Sequence, residues 1–150
     1  MSNTITGGLP SAANFQSLRE DWLTQLNQLV RNVKAWAEQA GWKTREITKS
    51  MKDSRLGEYR APALLLQWET VEVILNPVSR FVPGADGAVD LYLMPAYDDI
   101  ASLYLQDGEW KVHYLFRDSP VVARIPEPEV LTLSDEALVK VLREIVRHAA

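Results

Sequence analysis

The sequence predicts an α+β fold, a long N-terminal helix packed on a mainly antiparallel meander sheet of five or six strands, with a second helix at the C-terminus. Three observations predict it. Phe15, Leu18, Trp22, Leu26, Leu29, Val33, Trp36 and Ala40 recur at the spacing of one helical face. Asp107-Gly108 sits between runs of alternating apolar residues, the strongest short-range hairpin signal. No gap between residues 43 and 116 holds a helix-sized periodic segment, which a parallel crossover would need.

Along the chain, residues 1–13 contain Gly7-Gly8, Pro10 and small polar residues and read as a mobile tail, ahead of one α+β domain over residues 14–150. The first helix runs from Asn14 to Ala40, with Ser11 or Asn14 as its cap and Gly41 suited to the left-handed position beyond its end. At ~1.5 Å per residue it is about 40 Å long, enough to cross the whole domain. Strands follow at Lys43–Lys49, Ala63–Trp68 and Val71–Leu75, with a polar loop over Ser50–Glu58. Asn76-Pro77 and the run from Pro83 to Gly87 are turn chemistry flanking a short VSRFV piece.

Residues Ala88 to Phe116 then form a three-stranded meander. With Asp107-Gly108 at the tip, Gln106 faces Glu109, Leu105 faces Trp110, Tyr104 faces Lys111, Leu103 faces Val112 and Ser102 faces His113. One face is then Leu103, Leu105, Trp110, Val112 and Tyr114, and the other is polar. Pro120, Pro126 and Pro128 make Asp118–Val130 an extended connector. Thr132 or Ser134 caps the last helix, whose buried stripe is Leu138, Val141, Leu142, Ile145 and Val146.

Composition narrows the function classes. A chain of 150 residues buries roughly 68–70% of its unfolded surface, a real core. Its 47% hydrophobic and 24% charged residues favour neither disorder nor a coiled-coil rod. With no cysteine there are no disulfides, thiolate nucleophiles or thiolate metal sites. The N-terminus has no basic start or apolar core of a secretion signal, and the longest apolar run, Ala61–Leu66, is too short for a bilayer. The expected location is cytoplasmic, without membrane contact. A net charge of −4 and a pI near 5.2 disfavour nucleic acid as a partner. The locally basic stretch 43–60 reads as a lysine-protected edge strand and loop.

Chemistry is sparse. Phosphate-loop, dinucleotide and hydrolase-elbow motifs are missing, and the two histidines, His113 and His148, cannot build an ordinary zinc site. His148 reads as structural, near a helix C-terminus. No cofactor is expected. A turn pairing Met94 with Ile100 places Asp90 beside Tyr104 and Lys111, and Tyr92 beside Ser102 and His113. Asp90, Tyr92, Tyr104, Lys111 and His113 would then share one sheet face, as a docking surface for a protein partner or a second copy. The expected function is therefore a non-enzymatic protein-binding or adaptor module, including a homodimer. The alternative is a small-molecule or anion site with the same residues as a polar floor. A more distant reading is a metal-dependent nuclease using Asp90, Glu109 and Lys111, in the D…E-x-K pattern. Against both ligand readings stands the ordinary one, that an antiparallel sheet keeps one wet face.

Overall fold

The computed structural model describes residues 12–95, 98–114 and 129–149. Helix α1 spans Ala12–Gln39, so Asn14 lies inside its first turn and does not cap it. Of the tail expected over residues 1–13, residues 1–11 lie outside the described residues and the last two are helical. The helix ends as its sequence requires. Gly41 takes φ +94°, its N–H donates to the Glu38 carbonyl and the Trp42 N–H to the Ala37 carbonyl, both at 3.0 Å. That paired closure satisfies the last carbonyls and turns Trp42 back onto the core.

Seven strands follow: β1 (Lys43–Asp53), β2 (Gly57–Trp68), β3 (Val71–Ser79), β4 (Gly87–Leu93), β5 (Asp98–Gln106), β6 (Glu109–Tyr114) and β7 (Glu129–Thr132). They form one antiparallel sheet in sequence order, β1 to β7. Helix α2, Asp135–Ala149, closes the described chain, and Ser134 is its cap: the side-chain oxygen accepts from the Ala137 N–H at 3.1 Å. The fold is thus α+β, with seven strands where the sequence suggests five or six.

The extra strand is β7, paired with β6 from Lys111↔Thr132 to Tyr114↔Glu129. It occupies the end of the stretch read as a connector, just past Pro128, where backbone donors resume. Four residues alternate too briefly to stand out in sequence. Leu115, Phe116 and residues 118–128 lie outside the described residues.

Two other segments are more regular than read. The polar loop over residues 50–58 is mostly ladder, pairing down to Asp53↔Gly57. Its tip closes on Asp53, whose Oδ1 accepts from the Arg55 N–H at 2.6 Å and the Leu56 N–H at 2.9 Å, a side-chain mimic of a backbone turn. Asn76-Pro77 is not a turn but part of β3. The pairing of β3 with β4 shifts between Pro77 and Ser79, so the proline's missing donor falls at a break in the ladder.

Both helices contribute to the same apolar cluster. Trp22, Leu26, Leu29 and Val33 of α1 and Leu138, Val141, Leu142 and Ile145 of α2 join Leu64, Leu75, Leu91, Leu103 and Val112 of the sheet. Trp110 packs against this cluster, with its ring 6.2 Å from that of Trp22. The meander face expected to be apolar is therefore the core face. Among the described residues both helices pack into this one cluster. No helix of the described residues is long and apolar enough to cross a membrane.

Candidate functional site

The pairings decide which polar residues meet. The β5–β6 hairpin has the register read from Asp107-Gly108, including Ser102↔His113, Tyr104↔Lys111 and Gln106↔Glu109. Positive φ at Asp107 (53°) and Gly108 (79°) is the signature of the tight hairpin turn with both central residues left-handed. The β4–β5 register differs from expectation. Asp90 pairs with Ser102 and Ala88 with Tyr104, so Asp90 is not beside Tyr104 and Lys111, and Tyr92 is not beside Ser102.

The cause lies near the turn. Leu93 pairs with Asp98, not Met94 with Ile100, and the ladder is irregular between Leu91 and Leu93. From Gly87 through Leu91 the shift amounts to two residues. Side chains alternate with period two, so an even shift moves partners without exchanging faces. All five expected residues therefore stay on the face opposite the core, in new company.

One row across that face runs Asn76, Asp90, Ser102, His113 and Val130. A second runs Ala88, Tyr104, Lys111 and Thr132. Tyr92 stands opposite Ile74. Ser102 donates to Asp90 Oδ1 at 3.2 Å. Tyr104 and His113 meet edge to face, with centroids 4.9 Å apart at 87°, a geometry that sets a positive ring edge on a negative ring face. His113 Nε2 is buried and has no hydrogen-bond partner among the described residues. Buried polar atoms are seldom left so.

Lys111 is already engaged. Its ammonium donates to Thr132 Oγ1 at 2.9 Å and to Glu109 Oε2 at 3.1 Å. The cation that sequence reasoning missed is Lys49 of β1, whose Nζ donates to the Pro77 carbonyl at 2.8 Å. Burial holds its amine below the ordinary lysine range, partly opposed by the Asp90 carboxylate. Lys49 was hidden because β1 reads as a solvated edge. The available signal is the small stretch Ala61-Pro62-Ala63 in the facing strand, over which a long side chain can reach.

Asp90 and Glu109 are not brought together. His113, which shares a row with Asp90, lies four residues from Glu109 along β6, or about 13 Å at the rise of a strand. Among the described residues no group of three or more histidine or acidic side chains could hold a metal ion. The side chain of His148 lies outside the described residues.

Compared with protein-family models, with curated proteins and with solved structures, the chain matches none.

Proposed function

We propose that the chain is a non-enzymatic binding module that recognises a second copy of itself through the sheet face opposite the helices. The observation that carries this reading is that α1 and α2 share one core cluster on one side of the sheet. Tyr92, Tyr104 and His113 are left half-buried on the other. Aromatic rings with polar tips gain from water exclusion while keeping hydrogen-bonding capacity, and are enriched at interfaces for that reason. The face also carries both signs of charge, Asp90 with Lys49 and Lys111.

Sedimentation velocity over a concentration series tests the proposal. The wild type should sediment as a dimer, and Tyr104→Glu as a monomer with an unchanged circular dichroism spectrum, since a charge is costly only where water is shut out. A wild type that stays monomeric at its highest soluble concentration overturns the reading.

A polar-ligand floor is the second reading, and the partnerless His113 Nε2 specifically favours it. In that case the monomeric wild type would show His113 ring resonances moving on titration with acetate or phosphate. The cytoplasmic location belongs with both readings as a proposal.

A further inference from the structure

We propose that the cleft between the end of α1, the β2–β3 turn and α2 is a binding site for a small carboxylate with an apolar body, separate from the sheet face discussed above. The cleft has a volume of about 340 Å³ and is lined by Trp42, Trp68, Val139, Val146 and Arg143, among others. That volume lies at the small end of ordinary ligand sites, and the mixture of an apolar wall with one or two placed polar groups is their usual chemistry.

The aromatic wall is held in place. Trp42 is buried and tilts against Trp68, with ring centroids 5.9 Å apart at 44°. Trp68 is 36% exposed, yet its ring rests on Gly41, where a Cβ would stand 3.0 Å from Trp68 Cζ3. Gly41 thus serves twice: its positive φ closes α1, and its missing side chain seats the indole. A large apolar side chain that is both exposed and fixed can bind an apolar body without first losing much rotamer freedom.

Charge selects the class of ligand. Among the described residues, the charged ones lining the cleft are Arg143 and Arg147, both cationic. Arg147 is tied to Glu144 at 2.6 Å, whereas Arg143 has no ion-pair partner among the described residues. A guanidinium with no ion pair among the described residues, at the edge of an indole-walled cleft, complements an anion whose remainder is apolar. Its planar fork can take both oxygens of a carboxylate at once.

Octanoate and the matched neutral octanol are the probes, followed by isothermal titration calorimetry and tryptophan fluorescence on the full chain. Octanoate should bind more tightly than octanol. A charge-assisted contact at a partly wet site corresponds to about tenfold in affinity, so Arg143→Gln should weaken octanoate by roughly that factor and leave octanol within about twofold. Trp68→Ala should weaken both probes, with circular dichroism confirming that the variant folds, while Arg147→Gln should change neither. The proposal is overturned if octanoate and octanol bind the wild type equally, if neither binds, or if Arg143→Gln leaves octanoate unaffected. Since the cleft lies on the helical side, these outcomes are independent of whether the sheet face self-associates.

Discussion

At Gly87 a Cβ would stand 2.6 Å from Trp22 Cη2 and nearer still to Cζ3. Nothing about the backbone there calls for glycine, since Gly87 is not among the residues with positive φ. Space does. Trp22 is 1% exposed and its indole N–H donates to the Tyr59 hydroxyl at 3.2 Å, so the ring cannot swing away without leaving a buried donor unpaired. Gly87→Ala should therefore destabilise the protein by about 1–3 kcal/mol or more, the range for overpacked cores. A denaturant midpoint indistinguishable from wild type would mean that Trp22 is not fixed as described.

Lys49 makes a second single-residue claim, this time about pH. Its ordinary pKa is 10.5 and burial lowers it in the folded state. At low pH the amine is charged in both states and the desolvation cost is fully present. As pH rises toward 10.5 the folded chain gives up the proton first, so the unfolded state binds more protons and stability rises with pH. Tyr59 acts oppositely: burial, opposed by the Trp22 hydrogen bond and aided by the Asp53 charge, raises its phenol above 10.0, and stability falls where only the unfolded chain ionises. Comparing Lys49→Met with the wild type isolates the lysine. The variant should lack part of the wild type's rise in unfolding free energy below pH 10.5, as measured by urea titration at successive pH values. Parallel curves would show that Lys49 is as hydrated folded as unfolded.

Among the elements, the β5–β6 hairpin makes the sharpest statement. Asp107 and Gly108 both have positive φ, and no atom lies within 4 Å of where a Gly108 Cβ would point, so any penalty there is purely conformational. Gly108→Val should lower the melting temperature by several degrees, corresponding to roughly 1–2 kcal/mol for a β-branched residue in a left-handed conformation. Asp107→Asn should be nearly neutral, because asparagine tolerates that conformation well. Equal effects of the two changes would contradict the turn type.

The same element shows what a sequence can reveal. A two-residue turn carries its geometry in its own residues, so the register from Ser102 to His113 was legible. The β4–β5 connection carries no such code: its ladder irregularity between Leu91 and Leu93 depends on how two strands share a longer loop. The error was even, which kept Asp90, Tyr92, Tyr104, Lys111 and His113 on one face and exchanged only their neighbours. Gly87 escapes sequence reading for a related reason. Beside Pro83, Gly84 and Asp86 it looks like turn chemistry, and only the arrival of Trp22 from a distant helix explains it.

At the scale of the whole molecule, the helices divide their labour while sharing one interior. α1 packs on β1 and β2, α2 packs on β4 and β5, and the two helices touch each other. Their apolar residues belong to a single cluster that also takes in every strand from β2 to β6. A meander in sequence order pairs neighbours locally, but no hairpin can bury its apolar side without a helix, and neither helix has a separate core to retain if the other leaves. The molecule should therefore unfold as one cooperative unit.

Leu26 in α1 and Leu142 in α2, each 1% exposed, report from the two sides of that interior. Leu26→Ala and Leu142→Ala should each cost about 2–5 kcal/mol. Each should also shift the far-ultraviolet circular dichroism and tryptophan fluorescence transitions by the same amount. All five tryptophans lie between residues 22 and 110, and Trp42 and Trp68 share a cleft with Val139 and Val146 of α2, so fluorescence follows α1, the sheet and the seating of α2. If Leu142→Ala gave dichroism and fluorescence transitions with different midpoints, or a fluorescence transition in two steps, α2 would be melting from an intact remainder, and the shared core would not bind the molecule into one unit.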